Sequence, residues 1–456
     1  MTNKKRLNIV LDIGKTNVKL VFFDSKSNKP AKTYITKQVS KKKHSVDTLD
    51  ANYIYQWTLK ILEEQSKKAS LEKFVCTTHG CSLSLIDEEN QELLASTDYE
   101  FNFSKYEKKF QKIAPNFEEC NTPLLENGLS LGQQLFYLNY TNPKLIKNTS
   151  KILFYPQYMT WKFTNKFTSE ISYVGCHSHL WNFSKNKYSS LITKLKIKDK
   201  LPPIKKAWDI IGEKKIGSSN LKIMNGIHDS NASYLYFKNS NIKNFTLVST
   251  GTWYIIFNQE CSIKNLNPNF DMVANMDVFR NPISSIRFMG GREYEYLTSQ
   301  LGVSSKTKID KQFSVNDYFI YPSYASGGPF KIKNLQLKNY TKLKKEQRHY
   351  LICLYIGFVL NFCLDKINSQ NTIILDGPIG KNQTIMKILA TLRSRQKVLK
   401  NKNEIGTSFG ATNLFNIHKK NKLNTLVIKP HKDKSIFDSY SLWESNIYKK
   451  KLIKGD

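Results

Sequence analysis

The sequence predicts a mixed α/β protein made of two similar halves. Three observations carry this. A strand, turn and strand unit with a small, glycine-containing turn occurs twice, at residues 7–23 around DIGKTN and at residues 245–257 around STGTW. Both units are rich in β-branched and aromatic residues, which suit a pleated, half-buried surface. A polar stretch without apolar periodicity, residues 238–244, lies between the two units. One pattern met twice along a chain points to duplication.

In the first half, LNIVL at residues 7–11 reads as a strand, VKLVFF at 18–23 returns as its hairpin partner, and a third extended run lies near 34–39. Leu49, Ile54, Trp57, Leu59, Ile61 and Leu62 recur at helical intervals, and FVCTT at 74–78 reads as a further strand. In the second half, YIIF at 254–257 closes the hairpin. An apolar helix at 350–367, a strand at 372–375, the loop DGPIGKN and a helix at 383–392 follow. These readings set domains at residues 1–240 and 241–456.

Composition bounds the function. With 456 residues, 40% hydrophobic and 12% aromatic, the chain buries ample core in each domain and needs no staples. The balance of 70 basic against 37 acidic residues, a formal +33, attracts polyanions in general. The lysines are scattered among Asn and Ile, however, with only short clusters at 41–43 and 449–451, and form no basic stripe. A specific nucleic-acid site is therefore not expected. Seven cysteines without a C-x-x-C pair or zinc spacing read as reduced thiols in a cytoplasmic protein. The basic start at Lys4, Lys5 and Arg6 is followed by an apolar run that Asp12 interrupts too soon for a signal peptide. The most apolar stretch, residues 351–364, is shorter than the ~20 residues that cross a bilayer and contains Asn361. It reads as a buried helix, and no membrane partner is expected.

The two turns carry the chemistry. Gly14 and Gly251 allow close backbone approach, and Thr16, Ser249, Thr250 and Thr252 add hydroxyl donors, so the pair suits the phosphates of a nucleotide. A single glycine turn between strands is usually only a hairpin. Gly14, Lys15 and Thr16 resemble the tail of a Walker A loop, but Ile9 stands where that loop requires glycine. Asp12 sits where a carboxylate holds magnesium beside phosphate. GIHDSNAS at 226–233 offers Asp229 as a general base toward a substrate hydroxyl. THG at 78–80 and GCHSHLW at 175–181 set imidazoles near Trp181, a combination suited to sugars. His177 and His179 lack a third ligand at metal spacing.

In chain order, DIGKTNVKL, THG, LLENGLSLGQQLFYL, GCHSHLW, GIHDSNAS, STGTWYIIF, FMGGREYEYL, DGPIGKNQTIMKILATL and GTSFGATNLF together resemble the FGGY carbohydrate kinases. The resemblance implies two ribonuclease-H-like domains of the actin and hexokinase ATPase type around a central cleft, with ATP and Mg2+ as cofactors. It assigns Asp12 to magnesium and phosphate, Gly14, Lys15 and Thr16 to the first phosphate loop, and Gly251 and Thr252 to the second. Gly377 and Asn382 fall in the adenosine segment, Gly410 near the wall of that pocket, and Asp229 at the base. His79, Gly80 and His228 become sugar contacts. The sequence departs from the family with Lys15 in place of threonine and Pro378 in place of a second glycine. The HD spacing inclines toward the rhamnulose and fuculose branch and thus a ketose. The rival readings are an actin- or heat-shock-like ATPase of the same superfamily without a sugar site, and a basic nucleic-acid-binding protein. The sequence leaves a homodimer open.

Overall fold

The computed structural model describes residues 4–304, 307, 318–325, 327–332, 340–402, 406–431 and 435–455. The chain forms two compact units, the first from residues 1–240, 274–282 and 406–421, the second from 241–273, 283–405 and 422–456. In the first unit, β1 (Arg6–Ile13) is buried along residues 7–13, the near-continuous apolar run expected of a strand covered on both faces. It pairs antiparallel with β2 (Asn17–Asp24), and β2 with the edge strand β3 (Pro30–Lys37). Helix α1 (Ala51–Ser66) opens on Asp50, whose side chain accepts from the Tyr53 amide at 3.1 Å. It buries Ile54, Ile61 and Leu62 along one face. The crossover delivers β4 (Ser70–Thr78) parallel to β1. The hairpin β5 (Ile210–Ile216) and β6 (Ser219–Met224) extends the sheet, and the short β7 (Ile227–His228) also pairs with β4. The strand order is β5-β6-β4-β1-β2-β3. Helix α2 (Asp229–Lys238) follows directly.

The second unit repeats the plan. Strands β8 (Phe245–Thr250) and β9 (Tyr254–Asn258) form the hairpin, and β10 (Pro282–Phe288) continues the antiparallel meander. Helices α3 (Gly290–Gln300) and α4 (Lys345–Lys366) precede β11 (Thr372–Asp376), which lies parallel to β8. Helix α5 (Gln383–Leu392) leads to β12 (Val398–Asn401), parallel to β11, and β13 (Thr425–Val427) closes the edge antiparallel. Helix α4 is long and apolar enough to cross a membrane, yet 89% of its most apolar window is buried inside the fold. A Cβ at Gly357 would stand 2.7 Å from Ile388, so the glycine permits α4 to lie close on α5.

Two late segments complete the first unit, which contiguous halves at 1–240 and 241–456 do not anticipate. Val278 from residues 274–282, and Ala411, Leu414 and Ile417 from residues 406–421, join Val10, Phe23, Val75 and Leu235 in one core. Helix α6 (Thr407–Ala411) lies against α2, where a Cβ on Gly410 would meet the Ala232 carbonyl at 2.3 Å. Burial of these apolar side chains draws both segments in.

Candidate active site

Sheet register assembles the site of the first unit. Asp12 lies opposite Thr77 and Ile13 opposite Thr78, while Ile227 and His228 take the same two partners from the other side of β4. Three parallel neighbours therefore end level, and the residues that follow them, Gly14, His79 and Asp229, share one end of the sheet. Ligands of open α/β sheets bind beyond the carboxyl ends of the strands.

Asp12 is buried, with its Oδ2 accepting from the Ser408 hydroxyl at 2.6 Å. Burial pushes its carboxyl up to about 6, aided by the nearby Asp229 charge and opposed by Ser408 and Lys19. Asp229 begins α2, where the helix dipole favours a carboxylate. Its Oδ1 accepts from the Ser230 amide at 2.6 Å and lies 3.2 Å from His228 Nε2. The side chain keeps 29% of its surface open. The carboxyl is nonetheless ringed by protein, and burial raises its pKa, with His79 acting the other way.

The two histidines are neutral. Burial lowers His228 to about 4, so its 3.2 Å approach to Asp229 is a contact of a neutral ring with the carboxylate rather than an ion pair. A Cβ on Gly80 would stand 2.8 Å from that ring, so the glycine admits it. His79 is buried, and burial lowers its pKa. Its Nδ1 donates to the Gly80 carbonyl at 2.9 Å, which leaves Nε2 as an acceptor. That Nε2 has no hydrogen-bond partner among the described residues. A buried polar atom left open is costly unless a ligand satisfies it.

The first turn is tight, with the Gly14 amide donating to the Asn17 carbonyl at 3.0 Å. Neither Gly14 nor Gly251 adopts a left-handed φ, so small size rather than unusual conformation is what each offers. The Thr16 side chain is exposed. Lys15 does not stand free for phosphate. Its ammonium contacts Asp98 and lies 3.2 Å from Glu100.

GCHSHLW braces the fold instead of presenting a sugar wall. His179 is 2% exposed, and its Nδ1 meets the Ser130 hydroxyl at 2.6 Å. His177 Nδ1 lies 2.9 Å from the Leu129 carbonyl, and Trp181, 3% exposed, packs edge-on against Tyr188.

In the second unit, a cavity of about 860 Å³ opens at the ends of β8 and β11, lined by Gly251, Thr252, Tyr294, His349, Ile379 and Asn382 among others. Register again explains it, with Ser249 opposite Asp376 and Tyr254 opposite Phe288. A Cβ on Gly291 would fall 2.1 Å from the Gly251 carbonyl, so α3 can begin against this turn only with glycine there. Gly377 has φ +87°, and a Cβ there would fall 2.2 Å from the Thr250 carbonyl. Asn382 Oδ1 caps α5, accepting from Thr384 and Ile385 amides at 3.1 Å each, so it shapes the wall. Gly410 does not line this cavity; it belongs to the first unit.

Residues 7–233 match the N-terminal domain of the FGGY family of carbohydrate kinases, and residues 242–424 match a carbohydrate kinase FGGY C-terminal domain. The chain belongs to the FGGY carbohydrate kinases. It is similar to a carbohydrate kinase from Novosphingobium aromaticivorans, with 25% identity and a TM-score of 0.85 over 98% of this chain and 100% of the other. A ligand-bound xylulose kinase from Lactobacillus acidophilus matches at 14% identity and TM-score 0.78, covering 97% and 98% of the two chains. A gluconate kinase from the same organism matches at 15% and 0.79, covering 98% of each. No curated protein matches the chain.

This FGGY kinase is thus a sugar phosphotransferase with the two-domain actin-like fold of its family. Sequence reasoning missed Tyr294 and His349, whose side chains join at 2.8 Å beside the second-unit cavity. FMGGREYEYL held the first in view; no local signal marks a histidine inside an apolar helix. Gly377→Ala is expected to weaken ADP binding at least tenfold, read by calorimetric titration, because alanine must either leave the left-handed region or displace Thr250.

Proposed function

We propose that this kinase transfers the γ-phosphate of Mg-ATP to a hydroxyl of a small ketose of the rhamnulose, fuculose, xylulose or ribulose type. The observation that carries the reading is the group at one end of the first sheet. Asp229, with its raised pKa, sits beside a neutral His79 whose Nε2 is open. Asp229 accepts the proton of a sugar hydroxyl as that oxygen bonds to the γ-phosphorus. The bond from the γ-phosphorus to the β,γ-bridging oxygen breaks, ADP leaves, and Asp229 returns its proton to solvent. His228 orients Asp229, and His79 accepts from a second sugar hydroxyl. The turns at Gly14 to Thr16 and Gly251 to Thr252 receive phosphate oxygens, and the second-unit cavity receives adenosine.

Among the described residues no cluster of three or more His, Cys, Asp or Glu could cage a metal. This suits magnesium, which binds through one or two carboxylates together with phosphate oxygens and water. Asp12 would hold it, and the ion would supply neutralisation of phosphate charge. The finer placement in the rhamnulose and fuculose branch rests on GIHDSNAS. Seven buried free thiols fit a cytoplasmic setting.

Coupled ADP release with Mg-ATP against ketoses, aldoses, polyols and glycerol tests this. At least one ketose is expected to drive turnover. Its kcat/KM is expected to fall on the acid side as Asp229, whose pKa burial raises, takes up a proton and can no longer accept one from the sugar hydroxyl. Turnover confined to glycerol or to aldoses would overturn the ketose assignment.

A further inference from the structure

We propose that Lys15 and Tyr99 form a sugar clamp in the first unit: Lys15, neutralised by Asp98 and Glu100, holds the Tyr99 phenol beside His79. Tyr99 and His79 Nε2 then bind two hydroxyls of an uncharged sugar. The inference rests on the kinase reading above and names the substrate class of that same site.

Tyr99 is held from three sides. The Lys15 ammonium stands 5.0 Å from its ring centroid, a cation–π contact. The His79 ring meets it edge-on with centroids 5.3 Å apart. Below, the Gly128 amide donates to the Tyr99 carbonyl at 2.9 Å, and a Cβ on Gly128 would stand 2.8 Å from Tyr99 Cα. Asp98, which anchors Lys15, is itself fixed by the Ser40 hydroxyl at 3.2 Å and the Glu100 amide at 3.0 Å. The loop that carries Tyr99 is thus tied to the turn after β1.

His79 Nε2 is buried with no partner among the described residues, and the half-buried Tyr99 ring that meets it edge-on carries a hydroxyl donor. Burial, aided by the neighbouring Glu100 and Asp229 carboxylates, pushes the Tyr99 phenol far above its usual range, so it stays a protonated donor. His79, bonded to Gly80 through Nδ1, offers an acceptor. One donor and one acceptor next to Asp229 match the hydroxyls of a sugar, each of which donates and accepts. Charge then narrows the class. Asp12, Asp98, Glu100 and Asp229 face Lys15 and the exposed Lys19, and both histidines are neutral. Lys15 already answers two carboxylates, so the carboxylate of an aldonate would enter a negative surround.

The test compares Tyr99→Phe, Lys15→Met and Lys15→Arg with the unaltered kinase. It uses the ketose with the highest kcat/KM, with D-gluconate as the anionic arm. Tyr99→Phe is expected to lower kcat/KM for the ketose at least tenfold, and Lys15→Met to raise the ketose KM at least fivefold. Both should leave the ATP KM within twofold, and Lys15→Arg should restore the ketose KM. A residue that only braced the fold would not split the two KM values. The proposal is overturned if Lys15→Met raises the ATP KM and spares the ketose KM, or if D-gluconate is the better substrate, which leaves the kinase reading intact. A readout without turnover separates the two: the ketose should raise the melting temperature of Asp229→Ala, and adding Tyr99→Phe should abolish that rise. An inert Asp229→Ala that still shows it supports the clamp alone, while no shift with any ketose overturns the clamp.

Discussion

Asp229→Ala is expected to lower sugar-dependent ADP release by about 10³-fold, within the 10²- to 10⁴-fold range that a positioned general base supplies. The reasoning starts from position. Asp229 opens α2 at the level where β1, β4 and β7 end together, so a hydroxyl bound by His79 lies in its reach. ADP affinity should hold within twofold, because the 860 Å³ cavity is built wholly from residues of the second unit. The melting temperature should change little. Alanine forfeits the favourable interaction of a carboxylate with the helix dipole, about 0.3–1 kcal/mol, but also removes a charge whose burial raises its pKa. Asp229→Asn should match the alanine variant in rate, since an amide keeps the shape and cannot take the proton. Turnover within threefold of the unaltered kinase in both variants would remove Asp229 from the role of base.

Asp12→Asn is expected to trade activity for stability. Sugar-dependent turnover should fall at least 10²-fold as the carboxylate proposed for magnesium is lost, while the melting temperature at pH 7.5 should rise by about 5 °C. The sign follows from linkage. Burial raises the folded carboxyl from 3.8 to about 6. The folded state therefore binds this proton more tightly than the unfolded state, and ionisation at neutral pH costs roughly 3 kcal/mol of stability. Asparagine lacks that charge and still accepts from Ser408. As pH falls from 6 toward 3.8 the folded aspartate takes up its proton before the unfolded one does, so the penalty shrinks to roughly half by pH 5, and the gap between variant and unaltered kinase should close only below about pH 4. A gap that is constant from pH 7.5 to 5 would show that Asp12 is not the strained group.

The hairpins, α1, α4 and α5 were legible because each is specified locally. Val18, Leu20 and Phe22 mark a strand face, the glycines mark the turns, and Asn382 is a helix cap within two residues of the loop it ends. Asp12, His79 and Asp229 were legible as motifs, although only strand register brings them level. What was hidden depends on contacts far apart in sequence. Nothing near Gly410 signals that it packs on Ala232, and nothing near Lys15 signals Asp98 and Glu100 as its partners. Tyr99 gave no sign at all, since a lone tyrosine in a loop has no periodicity to read. His177 and His179 misled for the converse reason. Two imidazoles beside a tryptophan suit a sugar, but their rings turn inward to Leu129 and Ser130.

The bond from Ser408 to Asp12 joins residues 396 apart, and Ala411, Leu414 and Ile417 fill the same core as Val10. On the ribosome, the first unit is therefore born early and completed last. At ~5–20 residues per second, roughly 20–80 s separate the emergence of Asp12 from that of Ser408. During that interval the nascent sheet lacks part of its apolar cover and its first carboxylate lacks its hydroxyl partner. A fragment ending at residue 240 would lack both the Ser408 partner of Asp12 and the apolar cover of Ala411, Leu414 and Ile417, and is expected to hold the same unfinished state.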